Sequence, residues 1–314
     1  MRAFEIQNSK FTIHNSAPAA RMTEKKLVFL RRLSSSVALW TVALWIIFAG
    51  YEPGFLLLIG GLGLVGLWEY YRMLDAKGLP NFKIIGMLCG TWLAGGSFYY
   101  IGKLGPVHAQ DFEVGALLAF LLIVFGRQMF QRTRDLSPLE TMAYTIFGLL
   151  YVPWMFSFVT KIVYATPRGV DGHVTGHLYV LWLILVTKFS DMGAYVTGSL
   201  IGRHPMVPHI SPKKTWEGFF GALAFSTGGG CALLALMPEK LKYLTQTDAV
   251  VLGLGLGLAA IIGDLAESLI KRSCDVKDSG RFLPGIGGAL DLIDSILFTA
   301  PLMYFYLRFV VGLP

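Results

Sequence analysis

Long apolar runs dominate this sequence and constrain its fold more than any other feature. About nine of them approach the roughly 20 residues that a helix needs to cross ~30 Å of hydrocarbon. They cover 33–50, 54–75, 84–102, 113–130, 140–163, 177–200, 216–237, 249–270 and 289–311. Only 15% of the 314 residues are charged, against about 25% in a soluble domain. We therefore predict an all-α, polytopic integral membrane protein with about nine transmembrane helices.

The 27 Lys and Arg residues are distributed unevenly between the segments that join these runs. With the N-terminus inside, 20 of them lie in inside segments and 6 in outside segments, and Lys188 lies within a run. Because positive residues accumulate on the cytoplasmic side of a membrane, we expect a cytoplasmic N-terminus and an external C-terminus, in the bacterial inner (plasma) membrane. This distribution explains the net charge of +7 by the orientation of the chain in the membrane, and it therefore argues against a nucleic-acid partner.

Ionisable residues within the apolar runs concentrate towards the C-terminus. Residues 1–32 are polar and predict a loose cytoplasmic tail. The segment 33–175 holds the first five runs, which carry few ionisable residues and predict a transmembrane scaffold. Glu69 is an exception without a visible partner. The segment 176–314 holds the last four runs and is predicted to be the catalytic half.

The stretch 263–295 gathers acids and bases in an otherwise apolar chain. Four residues share one helix face at i, i+3, i+4 and i+7: Asp264, Glu267, Ser268 and Lys271. Asp291 and Asp294 repeat the i, i+3 spacing at the start of the next run. A charged side chain at mid-bilayer costs roughly 2.5–3.5 kcal/mol on insertion scales, so these acids need water, a cation or a polar cavity. The pattern favours binding of a divalent metal and phosphate over buried salt bridges at helix ends.

A second polar group lies in and after the sixth run. Asp191 and Tyr195 share a helix face at i, i+4. Ser211 followed by Pro212 is typical of an N-cap and a first-turn proline, which would place the residues 213–215 in the first turn of the seventh span. Because helix N-termini attract anions, we predict phosphate binding there. The alternative is a basic belt at the membrane interface.

These motifs resemble the phosphatidate cytidylyltransferases, also called CDP-diacylglycerol synthases. Their C-terminal signature, S-x-x-K-R-x4-K-D-x-[GSA]-x2-[LIF]-[PG]-x-H-G-G-x-x-D-R-x-D, is matched in register by Ser268, Lys271, Arg272, Lys277, Asp278, Gly280, Leu283, Pro284, Gly287, Gly288, Asp291 and Asp294. The family motifs D-x-G-A-Y and S-P-K-K-T-W-E-G are present at 191–195 and 211–218. Two positions depart from the signature, since Ile286 replaces its His and Leu292 replaces its Arg. These departures leave open a shifted lipid substrate or an altered active site.

The resemblance implies that CTP and phosphatidate react to give CDP-diacylglycerol and pyrophosphate. The residues fit this reaction independently, because two anions can meet only where metal ions and lysines offset their repulsion. Mg²⁺ is the default ion for hard oxygen ligands beside phosphates, and we expect two metal sites. The predicted metal ligands are Asp264, Asp291 and Asp294.

Other roles follow from the same resemblance and from the cavity that it implies. The predicted catalytic residues are Lys271, Lys277, Asp278 and Asp291. The predicted substrate-binding residues are Asp191, Tyr195, Ser211, Lys213, Lys214, Thr215, Glu217, Ser268 and Arg272. The expected partners are CTP, phosphatidate and membrane lipid, and the resemblance alone suggests a homodimer.

Three alternatives stay open at this point. Because Ile286 and Leu292 depart from the signature, the chain is alternatively a related transferase that acts on another lipid phosphate or lipid alcohol. A cation-coupled transporter would also place carboxylates inside a membrane, but it predicts corresponding broken helices in two repeated halves, whereas the polar residues here crowd into the last four runs. A catalytically inactive homologue is the third alternative.

Overall fold

The computed structural model describes residues 52–131, 137–167, 175–280, 282 and 287–313, together with scattered positions between 34 and 49. Its helices are α1 (Glu52–Lys77), α2 (Lys83–Leu104), α3 (Pro106–Met129), α4 (Pro138–Leu149), α5 (Met155–Ala165), α6 (His177–Ile201), α7 (Trp216–Leu236), α8 (Gln246–Ser273) and α9 (Ala289–Phe309). Two short strands, β1 (Pro205–Val207) and β2 (Ser211–Thr215), form an antiparallel pair between α6 and α7. The predicted tail 1–32 lies outside the described residues.

Eight helical segments of the described chain are long and apolar enough to cross a membrane. One of them, Pro138–Ala165, combines α4, a π-helical turn (Leu150–Trp154) and α5. The prediction of an all-α, polytopic membrane protein is therefore confirmed. The first predicted span, 33–50, is described only at scattered helical positions, so the ninth span stays a prediction.

Local sequence accounts for several of the helix boundaries. Thr245 caps α8, since its hydroxyl accepts a hydrogen bond from the Asp248 amide at 3.2 Å while Asp248 accepts one from the Thr245 amide at 2.8 Å. This reciprocal pair satisfies two amides that the first helical turn would leave free. The π-helical turn contains Pro153, which has no N–H to donate to the helix ladder. The ladder between α4 and α5 is therefore interrupted at that residue.

The helices of the C-terminal half pack in chain order, α6 on α7, α7 on α8 and α8 on α9. Small residues allow the backbones to approach closely. At Gly193, for example, an added Cβ would lie 2.5 Å from the carbonyl oxygen of Gly221. Helix α9 also packs against α1 and α5. It therefore joins the last four spans to helices of the predicted scaffold, and the proposed boundary at residue 175 stays a prediction.

Contacts between helix ends define two sides of the bundle. On one side, Lys77 at the end of α1 pairs with Asp275 just after α8. On the other side, the Tyr306 hydroxyl near the end of α9 donates a hydrogen bond to Asp248 at the start of α8, at 2.7 Å. Because successive spans alternate in direction, the β-strand pair and the segment between α8 and α9 lie on the first side.

The predicted scaffold contains a buried ion pair that the sequence analysis did not foresee. Lys161 lies within α5, and its Nζ is 2.5 Å from Oε2 of Glu113 on α3. Both side chains are almost fully buried, at 3% and 2% exposure. The Lys161 ammonium also lies 3.9 Å from the centroid of the Phe158 ring. The sequence did not indicate this pairing, because the two partners are 48 residues apart in the chain.

Breaking this ion pair should destabilise the bundle. Lys161→Met leaves the Glu113 carboxylate buried without its cation, so we expect the free energy of unfolding to fall by about 3–5 kcal/mol. The double variant Glu113→Gln/Lys161→Met should lose much less, because neither charge remains. Unfolding in mixed micelles titrated with a denaturing detergent measures the difference.

The exposed pair between Lys83 and Asp75, at 3.0 Å, provides the control. Lys83→Met should cost about 1 kcal/mol or less. If Lys161→Met and the double variant lost the same free energy of unfolding, the proposed stabilising role of the buried ion pair would be contradicted.

Candidate active site

A polar cavity of about 420 Å³ lies between α6, β2, α7, α8 and α9. Eight residues that the sequence predicted for the site line it: Asp191, Tyr195, Lys213, Lys214, Thr215, Asp264, Asp291 and Asp294. Lys188, Ser190 and Ser295 line it as well. The fold thus brings together residues from three motifs, and the most distant of these residues, Asp191 and Asp294, are 103 positions apart.

Carboxylates from α8 and α9 converge beside the cavity. Asp264, Glu267 and Asp294 each offer one oxygen, and these oxygens all lie within 4.8 Å of one another. Glu267 is 1% exposed and Asp294 is 7% exposed. Asp294 accepts a hydrogen bond from the Ser295 amide at 2.5 Å. Such a set of close oxygens, two of them on buried side chains, is chemically suited to a hard divalent cation.

Lysines offset only part of this negative charge. Three of them form ion pairs: Lys188 with Asp191 at 3.0 Å, Lys214 with Asp264 at 2.6 Å, and Lys271 with Glu267 at 2.5 Å and with Asp291 at 2.7 Å. Within the described chain, no such pair involves Asp294. In their ionised forms, five carboxylates of the described site outnumber the three paired lysines and Lys213, the other lysine of the cavity lining, so that negative charge remains and favours a bound cation. These carboxylates are Asp191, Asp264, Glu267, Asp291 and Asp294.

Asp291 connects the start of α9 to the loop that precedes it. Its Oδ2 accepts hydrogen bonds from the amides of Gly288, at 2.8 Å, and Ser279, at 3.3 Å. Its Oδ1 accepts one from Lys271. Gly287 has φ +130, and a Cβ added there would lie 2.9 Å from Oδ2 of Asp291. The backbone at this point therefore requires a glycine.

The three carboxylates that lie closest together differ from the predicted metal set. The sequence predicted Asp264, Asp291 and Asp294 as ligands, whereas the structure groups Glu267 with Asp264 and Asp294. Asp291 lies beside them, but both of its oxygens already accept hydrogen bonds.

The helix that we predicted to begin at Ser211 begins farther along the chain. Strand β2 occupies that stretch, and α7 begins only after Thr215, whose hydroxyl accepts a hydrogen bond from the Gly218 amide at 3.1 Å. The prediction of an N-cap at Ser211 was wrong. Lys213 and Lys214 consequently lie on a strand that leads into the helix, because pairing of β2 with β1 overrides the local Ser-Pro pattern.

Several predicted residues lie outside the cavity lining. Glu217 pairs instead with His204, with 2.6 Å between Oε1 and Nδ1. Near the end of α8, Ser268 is half-buried and Arg272 is exposed. Lys277 and Asp278 follow the helix and are exposed as well. The signature positions 283–286, which include Ile286, lie outside the described residues. The functional roles of all these residues stay predictions.

Two residues of the site received no specific role in the prediction, although Glu267 was placed on the same helix face as Asp264. Lys188 precedes its partner Asp191 by three positions on α6. Glu267 follows Asp264 by three positions on α8. Both were visible in the sequence as ionisable residues within apolar runs, but neither was assigned a role.

Comparison with known proteins gives matches over nearly the whole chain. The model of the cytidylyltransferase family matches residues 30–310. A phosphatidate cytidylyltransferase of Bacillus subtilis (strain 168) is 31% identical over 283 residues, which cover 88% of this chain and 97% of the relative. One from Staphylococcus aureus (strain COL) is 34% identical over 257 residues, covering 79% and 91%. One from Mycobacterium leprae (strain TN) is 34% identical over 253 residues, covering 80% and 70%.

The fold and these matches define a membrane-embedded nucleotidyltransferase. The chain belongs to the cytidylyltransferase family. The class of enzyme predicted from the three sequence motifs is thereby confirmed, and the eight apolar helices make it an integral membrane protein.

The position of the helix cap can be tested by comparing two substitutions. Thr215→Ala removes the acceptor for the Gly218 amide, so the free energy of unfolding should fall by about 1 kcal/mol. Ser211→Ala should cost less than half as much, because Ser211 lies on β2. Thermal unfolding of both variants in the same detergent measures the two losses. A larger loss of unfolding free energy for Ser211→Ala than for Thr215→Ala would contradict the cap at Thr215 and support the predicted cap at Ser211.

Proposed function

We propose that this chain transfers CMP from CTP to phosphatidate, giving CDP-diacylglycerol and pyrophosphate for phospholipid biosynthesis. The observation that carries the proposal is the polar cavity, into which lysines and carboxylates of α6, β2, α8 and α9 converge. Its volume of about 420 Å³ falls within the range of small-molecule sites. Support also comes from the relatives, which are named as phosphatidate cytidylyltransferases and which the chain matches over most of its length.

The proposed chemistry is a displacement at phosphorus. A phosphate oxygen of phosphatidate attacks the α-phosphorus of CTP, the bond to the β-phosphate breaks, and pyrophosphate leaves with the bonding electrons. Because the nucleophile is already anionic, the reaction does not require a general base. The main barrier is repulsion between two anions, and Lys188, Lys213 and Lys214 are the cavity cations that would offset it.

We further propose that the carboxylate cluster holds Mg²⁺. Asp264, Glu267 and Asp294 are the oxygen donors that would bind it, and the lack of an ion pair at Asp294 within the described residues supports this assignment. When bound, Mg²⁺ would neutralise charge on the triphosphate and on the leaving pyrophosphate. The second ion expected from the sequence would need Asp291, whose oxygens accept bonds from Lys271 and from backbone amides.

The cavity is proposed to face the cytoplasm, where CTP is available. The excess of positive residues in the predicted inside segments supports this orientation. It gives a cytoplasmic N-terminus and an external C-terminus in a bacterial inner membrane. A homodimer, expected from the resemblance alone, stays a prediction.

A related transferase for another lipid phosphate is the alternative that a specific residue favours. Leu292 stands where the family signature has Arg, and it lines an adjoining, mainly apolar cavity of about 110 Å³ together with Ile293 and Ile296. An apolar side chain there could change which lipid is accepted. Assays against phosphatidates and polyprenyl phosphates would separate the two substrates. The family match favours either transferase over the cation-coupled transporter.

Release of pyrophosphate tests the proposal. Purified protein in detergent should release it only when CTP, phosphatidate and Mg²⁺ are all present, and a chelator should stop turnover. Asp294→Asn should lower turnover by about 100-fold or more, the loss typical for one electrostatic group of an active site. Binding of Mn²⁺, followed by electron paramagnetic resonance, should weaken in the same variant.

Glu239→Gln is the matched control, because Glu239 is exposed in the loop between α7 and α8. It should keep both turnover and Mn²⁺ binding. Turnover that is unchanged in Asp294→Asn would remove the carboxylate cluster from the mechanism, and wild-type protein that is inactive on phosphatidate would overturn the proposed substrate.

A further inference from the structure

Glu69 lies on α1, in the predicted scaffold, yet it contacts the loop of the family signature. Its side chain is fully buried. Its Oε2 accepts hydrogen bonds from the Leu290 amide, at 2.9 Å, and from the Ser279 hydroxyl, at 3.4 Å. The two donors are 221 and 210 positions away in the chain. A buried carboxylate in an apolar helix is costly, so this contact requires an explanation beyond scaffolding.

The carboxylate satisfies an amide that α9 cannot satisfy by itself. Helix α9 begins at Ala289, and Gly288 stands at its N-cap position. The amides of a first helical turn have no partner within the helix, and a glycine has no side chain with which to accept from them. Glu69 supplies the missing acceptor from another helix, and its negative charge is also favourable beside a helix N-terminus.

Two described glycines of the loop, Gly280 and Gly288, lie close to this carboxylate. A Cβ added at Gly280 would lie 2.0 Å from Oε1 of Glu69, and one added at Gly288 would lie 2.5 Å from Oε2. The segment on each side of the loop therefore contacts the same carboxyl group. Small residues at these two positions leave the space that it occupies.

The same loop holds Asp291 in the cavity wall. Ser279, which donates to Glu69 through its hydroxyl, donates to Asp291 through its amide, and Leu290 directly precedes Asp291. Asp291 in turn pairs with Lys271. A continuous set of hydrogen bonds thus runs from α1, through the loop, to the charged groups of the site.

We propose that Glu69 is a positioning residue of the transferase site. It fixes Ser279 and the first turn of α9, so that Asp291 keeps its place at the cavity and its ion pair with Lys271. The expected effect of Glu69 on catalysis rests on the proposed function. Its effect on the order of the loop does not depend on which substrate the enzyme uses.

Two substitutions separate this role from simple packing. Glu69→Ala removes the acceptor, and the protein that remains folded should show a kcat at least about tenfold lower, with a smaller change in KM for CTP. Glu69→Gln keeps an acceptor oxygen and a similar shape, so it should retain most of the activity. Tyr71→Phe is the matched control, because it removes another buried hydrogen bond of α1, from the Tyr71 hydroxyl to the Thr145 carbonyl at 2.8 Å, away from the loop.

Hydrogen–deuterium exchange provides a second measurement that does not use activity. Peptides that cover 277–292 should exchange faster in Glu69→Ala than in wild type, Glu69→Gln or Tyr71→Phe. Wild-type kcat and wild-type exchange in Glu69→Ala would overturn the inference, as would equal losses in Glu69→Ala and Tyr71→Phe. Inactive wild-type protein would instead overturn the proposed function, while the exchange result would still decide the role of Glu69.

Discussion

The structure depends on how buried negative charge is compensated. Asp264, Glu267 and Asp294 lie together between membrane-spanning helices, and among the described residues lysines pair only with Asp264 and Glu267 of this cluster. Carboxylates in such surroundings are stable only with cationic partners or water. The arrangement of α6, β2, α8 and α9 can be understood from this requirement, because each contributes a lysine or a carboxylate to the same cavity. A site that is short of positive charge is suited to bind a metal ion together with phosphates.

Much of this architecture could be predicted from the sequence, because the signals involved are local. The length and polarity of the apolar runs predicted the spans, and eight of them correspond to helices of the described chain. Spacing of i, i+3 placed Asp264 on one face of α8 and Asp291 with Asp294 on α9, and all three line the cavity. The three motifs in their order along the chain predicted the family.

Contacts between distant segments could not be predicted in this way. Glu69 and Leu290 are 221 positions apart, and Glu113 and Lys161 belong to different helices, so no periodicity relates them. The Ser-Pro pattern at 211 predicted a helix cap, but pairing with β1 made the segment a strand. The contacts of Asp291 likewise depend on where the fold places the amides of Ser279 and Gly288. Each failure concerns a contact with another segment, which the pattern of a single segment does not reveal.

The fate of the CTP phosphates tests the central claim most directly. Purified protein would be given phosphatidate and CTP that is labelled at either the α- or the γ-phosphate. Transfer of CMP predicts that the α-label enters the lipid, whereas the γ-label appears only in pyrophosphate. Entry of the γ-label into lipid would show phosphorylation of a lipid and would contradict the account. A lipid free of both labels would contradict it as well.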